Sequence, residues 1–183
     1  GLCDFVIPEL PALIREHDEH GRHKDVYEHS LKVLTQSIAL EKERNPGAEP
    51  DVIGRIAALL HDIGKPATRS FDKPSKSVTF YGHDVVGARM AKKRLTELRF
   101  DNETIARTTN LIRLHLRFFG YSEGAWTDSA IRRYVRDAGE ELARLHILVR
   151  SDVTTRNERR LAAMGKAYDD LERRIAEIRE REE

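Results

Sequence analysis

Apolar residues recur at steps of three and four along nearly the whole chain, a spacing that predicts helices and leaves little room for sheet. After a Pro-flanked opening at residues 8–15, the stretch holding His17, His20 and His23 is polar and turn-like. Asp25 then caps a helix running to about residue 44, with Val26, Ser30, Val33, Ser37 and Ile38 along one stripe. Asn45, Pro46, Gly47 and Pro50 stop it. Asp51 is placed to cap the next helix, whose run Val52, Ile53, Ile56, Leu59, Leu60 and Ile63 covers so wide an arc that burial is expected. Gly64 and Pro66 predict its end, as a C-terminal Gly and a following Pro do.

From 65 to 82 the helical pattern breaks, and a long loop is expected there, holding at most one short strand or hairpin near 77–81. Helices resume over about 84–98, 101–116, 128–138 and 140–154, with Asp101 and Asp128 as N-caps and Gly139 as a stop. Asn157 caps a last helix in which Leu161, Met164, Tyr168, Leu171, Ile175 and Ile178 form a heptad seam. The expected fold is an all-α bundle with a long, charged, amphipathic C-terminal helix.

Composition narrows the class. A chain of 183 residues suits one domain with a short appended element. Lys plus Arg (32) almost balance Asp plus Glu (31), so no overall field announces a polyanionic partner, and a nucleic-acid surface must be a local patch. The single cysteine, Cys3, excludes a disulfide framework and the Cys-rich zinc ribbons and fingers, and suits a reducing cytoplasm. No apolar run approaches the ~20 residues that span a bilayer and no signal-peptide pattern opens the chain, so no membrane partner is expected. An opening at Gly1 rather than Met is expected of a piece of a longer protein.

Eight histidines against one cysteine and one tryptophan make imidazole the distinctive chemistry. His29 falls between Val26 and Val33 on an apolar face, and His61 and Asp62 close the most apolar helix. His83 opens a helix after the long loop, His115 lies three residues beyond Ile112, and Asp152 lies three beyond Val149. A carboxylate on an apolar stripe needs a partner, because an unpaired buried charge is prohibitively costly. Asp152 alone has Arg150 or Arg156 for that purpose, and any one core histidine is more often a hydrogen-bonded structural residue than a ligand. One explanation covers all six: they converge on one or two divalent transition-metal ions in the bundle core. Imidazole and carboxylate without thiolate suit Mn, Fe, Ni, Co or Zn. Adjacent residues sit about 100° apart on a helix, so His61 and Asp62 reach one centre only near a helix end, which Gly64 and Pro66 provide. His17, His20 and His23 carry no such argument, and His146 neighbours the Leu145 and Val149 stripe without joining it.

The order His29, His61-Asp62, His83, His115, Asp152 resembles the HD superfamily of metal-dependent phosphohydrolases in its six-ligand, two-metal form, with His61-Asp-Ile-Gly-Lys65 as the signature. Around it, Arg22-His-Lys-Asp-Val-Tyr-Glu-His29, Tyr81-Gly-His-Asp-Val-Val-Gly-Ala88, Trp126-Thr-Asp-Ser-Ala130 and Asp152-Val-Thr-Thr-Arg-Asn157 resemble the C-terminal half of actinobacterial CCA tRNA nucleotidyltransferases. The resemblance divides the chain into a lead-in (1–24) from a missing upstream domain, an HD domain (25–156) and a tail helix (157–183). It also implies an absent nucleotidyltransferase head, since the sequence has no Gly-rich loop and Asp169-Asp170 falls in the seam helix rather than in a strand. By the same resemblance Asp62 bridges two metals, with His29, His61 and Asp152 on one and His83 and His115 on the other, in phosphodiesterase or phosphatase chemistry.

Lys65, just past the helix stop, is either a phosphate clamp beside Asp62 or a cation on the helix dipole, and Arg69 is a weaker phosphate contact. Between 89 and 136 basic residues outnumber acids, which makes Arg113, Arg117, Arg132, Arg133 and Arg136 candidates for a tRNA phosphate track. Phe118, Phe119 and Tyr121 beside it fit stacking less well than core packing. A catalytically inactive tRNA-binding module, or a homodimer through the C-terminal seam, is the competing reading.

Overall fold

A computed structural model describes residues 1–15, 25–124 and 126–182; His17, His20 and His23 lie outside them. The opening segment forms α1 (Cys3–Val6), α2 (Glu9–Ala12) and a 3-10 turn at Leu13–Arg15. Then follow α3 (Val26–Arg44), α4 (Val52–Leu60), α5 (Lys65–Thr68), a hairpin of β1 (Ser70–Asp72) and β2 (Ser77–Thr79), α6 (His83–Glu97) and α7 (Asn102–Leu114). The chain ends in α8 (Phe119–Glu123), α9 (Asp128–Ala138), a 3-10 turn at Gly139–Glu141, α10 (Leu142–Asp152) and α11 (Glu158–Glu180). This is the expected all-α bundle: α3, α4, α6, α7 and α10 pack on one another, and the hairpin is the only sheet among the described residues.

Local chemistry accounts for most boundaries. The Asp25, Asp101 and Asn157 side chains accept hydrogen bonds from the Tyr27, Thr104 and Arg160 amides, as N-caps do. Asp51 and Asp128 depart from expectation. Asp51 precedes α4 without capping it, because its carboxylate faces Arg144 Nε at 2.8 and 2.9 Å. Thr127 caps α9 in place of Asp128, whose oxygens accept from Arg174 and Arg181 of α11. In α4 the buried face is Ala57, Ala58 and Leu60, and Val52 at its start points to solvent.

Residues 65–82 are not a structureless loop. They hold α5 and the antiparallel hairpin, in which Ser70, Phe71 and Asp72 face Thr79, Val78 and Ser77. Gly64 is also not the left-handed stop its position suggested, since it has helical backbone angles and Pro66 lies in the first turn of α5. Its glycine identity comes from a close approach: a β-carbon there would lie 2.2 Å from the His83 carbonyl oxygen and 2.6 Å from the Gly87 amide nitrogen. The contact brings the end of α4 against the start of α6.

The tail seam is covered within the chain. Tyr168, Leu171, Ile175 and Ile178 are buried, α11 packs on α8, α9 and α10, and Phe118 stacks on Tyr168 with centroids 3.8 Å apart. Burying such side chains stabilises by about 1.5–3 kcal/mol each. Only Leu161, at the start of the seam, is exposed, so the apolar stripe on which a homodimer was expected is already occupied from Tyr168 onward. Phe118 and Tyr121 are likewise core residues.

Candidate metal centre

Three of the four inner histidines stand at helix termini. His61 and His115 follow the last residues of α4 and α7, and His83 is the first residue of α6. The last carbonyls of a helix have no intrahelical partner, so an imidazole at the end of the turn can take one. His61 Nδ1 donates to the Ala58 carbonyl at 2.8 Å and His115 Nδ1 to the Ile112 carbonyl at 2.6 Å. His83 Nδ1 donates to the Phe80 carbonyl at 2.8 Å, again three residues earlier. A carbonyl only accepts, so each Nδ1 carries a proton and Nε2 is the nitrogen that each ring turns to the centre.

Those Nε2 atoms face two carboxylates. His61 Nε2 lies 3.3 Å from Asp62 Oδ2 and 3.4 Å from Asp152 Oδ1, and His29 Nε2 lies 2.9 Å from Asp152 Oδ1. His83 Nε2 lies 3.3 Å from the other Asp62 oxygen, Oδ1. His29, His61 and Asp152 form one set whose ligand atoms lie within 4.8 Å of one another, and Asp62, His83 and His115 form a second. Asp62 touches both, with one oxygen towards His83 and the other towards His61. Arg150 does not serve Asp152; it pairs with Asp169 and Glu172.

The centre is buried except at its rim, where His29, Lys65, His83 and Asp152 keep small exposed fractions. Burial opposes charge on His61, but the Asp62 and Asp152 carboxylates outweigh it and lift its pKa to about 10. Burial, with the His61 charge, pushes His115 down to about 4. Burial would also raise both carboxyls, yet His61 beside Asp62, and His29 and His61 beside Asp152, hold them well below the usual carboxylate range. Even so, His61 Nε2, His83 Nε2 and His115 Nε2 are buried without a hydrogen-bond partner. Buried polar atoms are almost always satisfied, so three unpaired imidazole nitrogens converging beside two carboxylates offer donor types that suit a divalent cation.

A family model described as HD domain matches residues 26–157. The chain belongs to the HD domain family. Among its relatives, the CC-adding tRNA nucleotidyltransferase of Thermus thermophilus is 36% identical over 116 residues, 63% of this chain and 25% of that protein. The A-adding tRNA nucleotidyltransferase of Deinococcus radiodurans is 32% identical over 173 residues, 94% of this chain and 36% of that protein. A Multifunctional CCA protein of Legionella pneumophila is 29% identical over 119 residues, 62% of this chain and 26% of that protein. The chain thus spans between 25% and 36% of the length of these relatives. The matches agree with the resemblance read from the sequence.

In this HD domain Lys65 sits at the centre, its Nζ 3.0 Å from Asp62 Oδ2 and 5.6 Å from the Phe80 ring centroid. Arg69 follows α5 and is exposed. The other basic candidates are divided. Arg117 pairs with Asp137, Arg136 approaches the same carboxylate, and Arg132 pairs with Glu182. Arg113 bonds only Asn110, and Arg133 has no ion-pair partner among the described residues. His146 corrects its sequence reading: it is buried, stacked on Tyr134, with Nδ1 3.1 Å from Glu172. Sequence reasoning missed Thr154, whose hydroxyl is 3.1 Å from His29 Nδ1, and Gln36, which donates to the Ser151 carbonyl at 2.6 Å and ties α3 to the end of α10. Thr154, two residues past Asp152, carried a signal only through that spacing.

Proposed function

We propose that this chain is the HD part of a tRNA nucleotidyltransferase and that its centre carries metal-dependent phosphodiesterase or phosphatase chemistry. The division into a lead-in at 1–24, an HD domain at 25–156 and a docked tail helix at 157–183 belongs to the same reading. The observation that carries it is the convergence of the orphaned His61, His83 and His115 Nε2 atoms with Asp62 Oδ2 in a buried space. His29, His61 and Asp152 hold one divalent ion, His83 and His115 a second, and Asp62 reaches both. Bound there, ions of the Mn, Fe, Ni, Co or Zn type supply Lewis-acid polarisation of a phosphoryl oxygen and acidification of water.

The protein's own groups do the rest. Carbonyl-fixed imidazoles keep their lone pairs inward without reorganisation, and the low-dielectric surroundings strengthen each charge acting on the substrate. Lys65, held at the rim beside Asp62, presents its ammonium to a phosphate arriving there, and Arg69 is a weaker contact. A substrate needs only to place one phosphoester at the rim, which fits a 2′,3′-cyclic phosphate, a simple aryl diester or an RNA end. Nucleotide addition requires a phosphate-cradling loop and a strand-borne carboxylate pair. The two strands among the described residues carry only Asp72 between them, so we assign that step to a region outside this chain.

The test is a screen of the purified chain with Mn, Co, Ni, Fe and Zn against 2′,3′-cyclic AMP and bis(p-nitrophenyl) phosphate, with His61→Ala as control. Turnover above the control with at least one metal is expected. No turnover above it with any metal would overturn the hydrolytic assignment.

A further inference from the structure

The near-zero net charge conceals two opposite grooves. One, of about 570 Å³, runs between α3, α4 and α10 and is bordered by Glu41, Glu49, Asp51 and Glu140 against Arg144. The other, of about 560 Å³, lies between α6 and α7 and is bordered by Arg89, Lys92 and Arg113, by Asn and Thr side chains, and by no acid. No ion pair joins Arg89, Lys92 or Arg113 to a carboxylate among the described residues, whereas Arg94 and Arg107 on the same two helices are paired. The cations that border the groove are therefore free of carboxylate partners among the described residues.

Its position ties it to the centre. Val85 lines the groove two residues after His83, and Arg113 lines it two residues before His115. At 1.5 Å and about 100° per residue both lie within one helical turn of the candidate ligands along the axis but on the opposite helix faces, so the groove meets the centre around the ends of α6 and α7, and its lining from Val85 to Thr96 extends about 16 Å along α6. At the same end Tyr81, between β2 and α6, is 85% exposed. A line of cations that ends beside an unburied aromatic ring matches a strand of phosphates whose last base is unpaired and free to stack. A duplex offers the phosphates without the free ring faces.

We infer that the α6–α7 groove is the track of a single-stranded polynucleotide whose end is presented to the His/Asp centre, with Arg89, Lys92 and Arg113 on phosphates and Tyr81 under a terminal base. The inference rests on the phosphoesterase reading for the meaning of that end. Its binding test does not, because it is run without metal.

The experiment is fluorescence anisotropy of the full chain with a 5′-labelled 12-nucleotide single-stranded RNA in EDTA, over a series of salt concentrations. Arg89→Glu with Lys92→Glu is expected to weaken binding roughly tenfold or more and to make the slope of log K against log salt shallower by about 1.4. Tyr81→Ala is expected to cost roughly tenfold with the slope unchanged. Lys166→Glu, on α11 and outside the groove, is expected to leave affinity within about twofold once salt is matched. Equal weakening by Lys166→Glu, equal affinity for a 12-base-pair duplex, or unchanged affinity in the groove variant each overturns the track. Should the double reversal perturb folding, Lys92→Gln removes one charge, and an unchanged slope there overturns the track as well. Hydrolysis of bis(p-nitrophenyl) phosphate separates the two readings. Its absence in the wild type removes the hydrolytic assignment and leaves the binding result standing, and its persistence beside groove-independent binding removes only the track.

Discussion

Two charged clusters in this molecule are built in opposite ways. In the tail interface, Glu172 of α11 meets His146 and Arg150 of α10 and Arg44 of α3, so both of its oxygens are engaged. In the centre, six titratable side chains meet with Lys65 as the nearest amine, and three imidazole nitrogens still lack a partner. The first cluster clamps one helix to the bundle through Glu172, and the atoms it leaves unpaired, His146 Nε2 and Arg150 Nε, belong to its edge rather than to a shared space. The second gathers unpaired Nε2 atoms of three histidines around two carboxylates, a convergence expected of a binding site rather than of a structural ion-pair network.

The sharpest way to break the contrast is Asp62→Ala. The carboxylate touches both ligand sets, so its loss is expected to remove most bound metal, with at least tenfold weaker affinity, measured as metal content by mass spectrometry after dialysis. Full occupancy in that variant would reject the shared role of Asp62. Next in size is Gly64→Ala. The new methyl collides with the His83 carbonyl and the Gly87 amide, so a loss of about 1–3 kcal/mol is expected in urea unfolding, with metal content lowered because Asp62 and His83 shift apart. An unchanged unfolding midpoint would mean that α4 and α6 do not approach through bare glycine backbone.

Glu172→Gln probes the other cluster and should leave metal content untouched. His146 first, then Arg150 and Arg44, overcome partial burial and lower the Glu172 pKa from 4.5 to about 2. A depressed carboxyl contributes stability that is present above its unfolded pKa and lost as pH falls through the folded value. The melting-temperature gap between wild type and Glu172→Gln is therefore expected to be full at pH 6 and to close between about pH 4.5 and pH 2. A gap independent of pH in that window would contradict the clamp. The smallest effect is expected of Arg132→Ala. Its partner Glu182 is half-exposed and solvent screens the pair, so scanning calorimetry should show no change in melting temperature.

Residues within one helical turn of each other were legible in the sequence. The six His and Asp residues were named from their places on apolar stripes and at helix ends, and the caps at Asp25, Asp101 and Asn157 from residue type and position. Asp51 and Asp128 carried the same local signal and went elsewhere, because arginines 93 and 46 residues away offered charge-assisted bonds that outcompete a backbone amide. His146 looked peripheral because its partner Glu172 lies on another helix.

The sequence by itself determined the helices, their apolar faces and a donor set of imidazole and carboxylate without thiolate, since these follow from side-chain chemistry repeated at a local period. The tertiary structure decided which charges neutralise one another and which stay free. Arg117 and Arg132 are held by Asp137 and Glu182, whereas Arg89, Lys92 and Arg113 border an acid-free groove. It also decided that Gly64 is a point of contact rather than a stop. Both outcomes depend on distances between segments far apart in the chain, where close packing and short-range electrostatics act and helical periodicity carries no information.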